Sequence, residues 1–193
     1  MKDKMAKALL IIGVLFILGS VLVYLQPWQG QVDAETRNWQ LTLVGRDGDE
    51  KVLSYKDITG LPAYQGKGGF FSTIGIVYGP YDAKGVTLEE LCEQVGGIVQ
   101  GDAVMITAKD GYSTVLDYEQ VMGEFITYNS ELKEVPHPEL KTILMYKQDG
   151  KPLADEDGKP FRIAVVSKDQ GLLNEGTYWV KWVNKIEVLN KTP

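Results

Sequence analysis

Apolar side chains follow two regimes along this chain. Ala8 to Leu25 is one continuous run, broken only by two glycines, Ser20 and Tyr24, whereas beyond Trp39 the apolar positions alternate with polar ones over short stretches. Eighteen residues of helix span about 27 Å, close to the ~30 Å hydrocarbon layer of a bilayer. Pro27 ends such a helix, and Tyr24 and Trp28 fall where interfacial aromatics are favoured. Lys2, Lys4 and Lys7 precede the run and predict that the N-terminus stays in the cytoplasm. The expected organisation is an N-terminal anchor over residues 1–28, contacting the membrane through residues 8–25, then a polar stalk over 29–38 and one domain over 39–190. That places the chain at the cell membrane as a single-pass protein with its C-terminal domain extracytoplasmic. The alternative is a cleaved signal peptide. The run exceeds the roughly 7 to 15 apolar residues of that class, and the small-residue stretch Val32-Asp33-Ala34 lies well past it. No cysteine follows the run, which excludes a bacterial lipid-modified anchor.

Within the domain, Trp39–Val44 alternates with period two and predicts a half-buried strand. Lys51–Leu53 returns as its hairpin partner across the turn Arg46–Asp49. Ser54 with Asp57 three residues on is a capping-box signature for a short helix that ends before Pro62. Residues 63–83 carry five glycines and read as an irregular loop holding one short strand, Ile74–Tyr78. Thr87 caps a helix Leu88–Val95 that Gly96 and Gly97 stop. A strand Ala103–Ala108, a turn at Asp110-Gly111 and a strand Tyr112–Leu116 form a hairpin. Asp117 opens a short helix through Met122, and Ser130–Leu140 reads as a surface loop. Strands follow at Ile143–Tyr146, Phe161–Val166 and Trp179–Leu189, separated by the turn Gln148–Gly150 and a polar loop Pro152–Gly158. Many short strands with few short helices predict an α+β fold with a mixed, largely antiparallel sheet.

The domain is the size of one ordinary folding unit, large enough to bury a core without disulfide or metal. Setting aside Lys2, Asp3, Lys4 and Lys7 leaves 17 basic and 25 acidic residues, a balance of −8. Only Arg37, Arg46 and Arg162 supply guanidinium groups. This excludes nucleic acid as a partner, because its phosphates need clustered Lys and Arg. Cys92 is the only cysteine and His137 the only histidine. Neither a disulfide, nor a zinc–thiolate cluster, nor a two-histidine metal site can be built. Ser-His-Asp catalysis lacks a nucleophile-elbow pattern. No catalytic residue and no metal ligand is therefore assigned.

Five blocks read together as a known family. Gly85-Val-Thr-Leu-Glu-Glu-Leu91 with Gly96-Gly97, Ala108-Lys-Asp-Gly-Tyr-Ser-Thr114, Leu144–Leu153, Gly158-Lys-Pro-Phe-Arg-Ile163 and Val180-Lys-Trp-Val-Asn-Lys-Ile-Glu187 stand in order over residues 39–189. In order and approximate spacing they resemble the molybdopterin-binding domain of the sulfite-oxidase-like oxidoreductases. The resemblance implies the sulfite-oxidase-type fold and a molybdopterin. It also implies a molybdenum-ligating cysteine in the loop before the Gly-Val-x-Leu helix. Residues 66–84 stand there and contain none; Ser72 and Thr73 lie near the expected place, and Cys92 comes several residues too late. A hydroxyl is a poor substitute for a soft thiolate at a sulfur-rich metal site. The family's basic residues for the pterin phosphate are thinned here to Arg162, Lys168 and Lys181, with an acidic Glu175 nearby.

Other features carry two readings each. Cys92 reads as a small core side chain on an amphipathic helix, and His137 as a solvated loop residue. Gly66-Lys-Gly-Gly69 could cradle an anion through backbone N–H groups or simply mark a flexible loop. Phe70, Phe71, Tyr78 and Tyr81 could line a ligand pocket or a partner surface, or pack as ordinary core. Asp155-Glu156-Asp157 reads as solvated surface. Three functions follow, in order of preference. The first is a membrane-tethered binding or accessory module that keeps the fold without metal chemistry, with a redox or membrane protein as partner. The second is an active molybdopterin oxidoreductase with a non-cysteine ligand set. The third is an adhesion or structural domain. No cofactor is the first expectation and molybdopterin the second.

Overall fold

The computed structural model describes Thr36 and residues 38–190; the expected anchor at 8–25 lies outside the described residues. Among the described residues no helix is long and apolar enough to cross a membrane. Strands dominate, and they form two sheets where one was expected. The first is five-stranded, in the order β2 (Glu50–Ser54), β1 (Gln40–Val44), β13 (Val183–Leu189), β5 (Ala103–Ala108), β6 (Ser113–Asp117). Only β1 and β13 run parallel in it. Three short helices accompany the strands: α1 (Tyr55–Gly60), α2 (Leu88–Glu93) and α3 (Tyr118–Met122). Each begins where its cap was expected. Ser54 and Asp117 close capping boxes, and Thr87 accepts from the backbone of Glu90.

The second sheet is built from β3 (Tyr64–Phe71), β4 (Val77–Thr87), β9 (Leu140–Gln148) and β11 (Arg162–Ser167). These four close a circuit: β3 pairs with β4, β4 with β9, β9 with β11, and β11 back to β3 through Ser167 and Lys67. The short strands β7 (Thr127–Tyr128), β8 (Glu134–Val135), β10 (Lys151–Pro152) and β12 (Leu173–Glu175) extend it. Residues 63–83 are therefore not a loop with one strand but most of a long hairpin. Glycine stands there because strands crowd. A Cβ at Gly66 would collide with the Ser167 carbonyl oxygen, one at Gly68 with that of Val165, and one at Gly85 with that of Leu144. Close backbone approach is a use of glycine inside strands as well as in loops.

Period-two alternation sends the two faces of β9 and β11 into different cores. Leu144, Tyr146 and Ile163 join the main core with Leu41, Leu43, Leu88, Leu91 and Ile106. Ile143, Met145, Ala164 and Val166 point the other way and meet Ala83, Leu153 and Trp179 inside the ring. Strands buried on both faces read as continuous apolar runs rather than alternating ones, as Ile143–Tyr146 and Ile163–Val166 do. The alternation also sets Arg162 on the face that carries Ala164 and Val166. The last expected strand is shorter than foreseen. Regular pairing begins at Val183, after a 3-10 turn Gly176–Tyr178 and an irregular stretch in which Trp182 has φ of 55°.

Candidate functional site

At the Arg162 end of the ring lies a cavity of about 530 Å³. β3, β4 and the connection between them bring Phe70, Ser72, Tyr78 and Tyr81 to its wall, and the stretch after the 3-10 turn brings Trp179, Lys181 and Trp182. Phe70 and Tyr78 stack with ring centroids 4.8 Å apart, and Phe70 lies 5.1 Å from Trp179. Of the aromatic cluster, Phe70, Tyr78 and Tyr81 line the cavity, Phe70 and Tyr81 also packing against the second core, while Phe71 packs edge-on against Tyr128. Asn174 accepts from the Trp179 indole N–H and holds that ring. Trp182 Nε1 donates to the Asp155 carbonyl at 2.9 Å, and Lys181 Nζ donates to that of Glu156. These two bonds draw the loop after β10 against the cavity and bring Glu156 and Asp157 to its wall.

Arg162 is 2% exposed. Its guanidinium carbon sits 4.7 Å from the Phe70 ring centroid and 5.2 Å from that of Trp179. No hydrogen-bond partner meets its Nε. Burial pulls its pKa down to about 10, against the smaller opposing effects of Tyr81 and Asp157, so it remains charged at neutral pH. The Lys181 ammonium is lowered as well, first by burial and then by the nearby Arg162. Burial likewise raises the Tyr81 phenol.

Of the three basic residues singled out in the sequence, Arg162 and Lys181 line this cavity together. Lys168 does not. It is exposed beyond the far end of β11, six residues from Arg162 and so about 20 Å along the strand. Asp110, Glu156 and Asp157, turn or surface residues by sequence, all line the cavity; Glu156 and Asp157 adjoin the Gly-Lys-Pro-Phe-Arg block, and Asp110 stands within the Ala108–Thr114 block. Asp110 also makes the expected turn contact, accepting from the backbone of Tyr112 at 3.0 Å. His137 lies away from the cavity, its ring nitrogen 2.8 Å from the Pro138 carbonyl. Cys92 is 1% exposed within the main core. Burial there pushes its thiol up to about 12.

The family profile for the oxidoreductase molybdopterin binding domain matches residues 79–193. The chain belongs to that family. The uncharacterized oxidoreductase YuiH of Bacillus subtilis (strain 168) is 22% identical over 151 residues, which is 77% of this chain and 64% of YuiH. The chain thus spans somewhat less than two thirds of that relative. The sulfane dehydrogenase SoxCD of Paracoccus pantotrophus shares the fold, with a TM-score of 0.62 at 18% identity over 81% of this chain and 39% of that one.

The family implies a molybdopterin, and the residues present can be tested against it. The one sulfhydryl is sealed in the main core and held protonated. The cavity wall offers a hydroxyl, Ser72, whose oxygen already accepts from the Ile76 backbone at 3.1 Å. Two cations on that wall face three carboxylates. Among the described residues no three His, Cys, Asp or Glu side chains are grouped to hold a metal ion. This donor set does not fit a thiolate-held molybdenum.

Proposed function

We propose that this protein is a membrane-anchored, extracytoplasmic binding module, built on the molybdopterin-binding oxidoreductase fold and working without metal chemistry. One observation carries the reading: the cavity of the fold holds no sulfur ligand, because the chain's only thiol is packed into the opposite core. What the cavity keeps is a recognition surface of aromatic rings around one buried cation, the composition of a small-molecule site. The apolar run at residues 8–25 and the lysines before it support the anchor and its orientation.

Purification of the full chain from a molybdenum-replete host, followed by elemental and pterin analysis, tests the central point. Molybdenum and tungsten well below one atom per chain are expected; a stoichiometric content with releasable pterin overturns the reading. Retention in alkali-washed membranes, with the domain digestible by protease added to spheroplasts, is the expected result for the anchor. One observation favours a second reading, an oxidoreductase with an unusual ligand: Ser72 stands on the cavity wall. The same elemental analysis separates the two.

A further inference from the structure

Arg162 poses a question that the fold leaves unanswered. A buried cation is destabilising unless it is paired. Its surroundings give it two ring faces but, among the described residues, no carboxylate at ion-pair distance, and its Nε has no acceptor. Cation–π contact recovers only part of such a cost. A side chain of this kind on a cavity wall is complete only when an acceptor arrives from outside.

The chemistry of the wall narrows what that acceptor is. Phe70 and Trp179 lie against the guanidinium, so its remaining binding capacity is its in-plane N–H donors. That fork matches a carboxylate edge. Lys181 is the second cation, and its ammonium is already engaged by the Glu156 carbonyl. Asp110, Glu156 and Asp157 share the wall and repel a doubly charged ligand more than a singly charged one. Tyr78, Tyr81 and Trp182 supply flat apolar surface suited to a ring. We propose that the cavity binds a small aromatic monocarboxylate of one or two rings, its carboxylate on Arg162 and its ring among the aromatic side chains. This deepens the metal-free binding reading and rests on it.

Calorimetric titration of the detergent-solubilised full chain with 2-naphthoate, 2-naphthyl phosphate and inorganic phosphate tests the assignment. Saturable one-to-one binding of 2-naphthoate is expected, with the dianionic phosphates weaker. Arg162→Gln weakens 2-naphthoate at least about tenfold, the loss expected for one charge-assisted contact. Asp157→Asn, which keeps Arg162 in place, strengthens 2-naphthyl phosphate relative to 2-naphthoate. That variant decides the matter if Arg162→Gln fails to fold. Absence of 2-naphthoate binding, equal binding by folded Arg162→Gln, tighter binding of 2-naphthyl phosphate than of 2-naphthoate, or a ratio of the two that Asp157→Asn leaves unchanged each overturns the proposal. Metal-free protein that prefers phosphate loses this ligand class but keeps the binding-module reading, whereas stoichiometric molybdenum removes the reading itself.

Discussion

Cys92 and Arg162 are buried almost equally, at 1% and 2% exposure, and their surroundings answer burial in opposite ways. Cys92 sits on α2 among Leu88, Leu91 and their neighbours in the main core. Its thiol stays neutral there, so it behaves as a small apolar side chain and asks nothing of its neighbours. Arg162 cannot neutralise at physiological pH, and the ring face that holds it opens on a cavity. The main core is finished by its own side chains; the cavity is not. In this protein a group that can shed its charge serves packing, and a permanent charge marks where something else binds.

Titration sharpens that contrast most. The Cys92 thiol is raised from 9.0 to about 12 in the folded state. The unfolded chain therefore loses its proton first, and stability contributed below pH 9 is lost as pH climbs toward 12, by up to about 4 kcal/mol. Urea unfolding of wild type and Cys92→Val across pH 8 to 11 should show the two diverging above pH 9. Equal slopes would mean that the thiol reaches solvent.

Arg162 shifts the other way, from the ordinary guanidinium value down to about 10. Between these values the unfolded chain holds the extra proton, so stability rises with pH there and the cost is fully present below pH 10. Arg162→Met removes it and should stabilise the unliganded protein at pH 7 by about 1 to 3 kcal/mol while abolishing ligand binding. A less stable Arg162→Met protein would show that the two ring contacts outweigh desolvation. The smallest effect lies outside both regions. Ser54→Ala and Asp117→Ala each remove a capping box, and should cost about 1 kcal/mol in chemical unfolding with no change in ligand affinity.

Residues whose structure is local were legible from the chain. The caps at Ser54, Thr87 and Asp117 stand where they were read, as does the strand Ala103–Ala108. The five family blocks pointed to the fold that the profile match and the SoxCD likeness support. Cys92 was legible as core because its helix neighbours are apolar. Residues 63–83 were misread. Gly66 and Gly68 serve a contact with β11 carbonyls about a hundred residues away, which no local pattern reveals. Lys168 was grouped with Arg162 by charge alone, and the length of β11 separates them.

By itself, then, the sequence determined the capped helices and most strands, the acidic balance and the absence of a thiol before α2. Each depends on residue identity or on neighbours within a few positions. Only the tertiary structure decided that Phe70, Tyr81, Arg162, Lys181 and Trp182 share one wall with Asp110, Glu156 and Asp157. That wall exists because four strands close a ring and the irregular stretch 179–182, with Trp182 at φ of 55°, lies at its end. Closure of this kind is set by pairing register and close backbone contact, which depend on partners far apart in the chain.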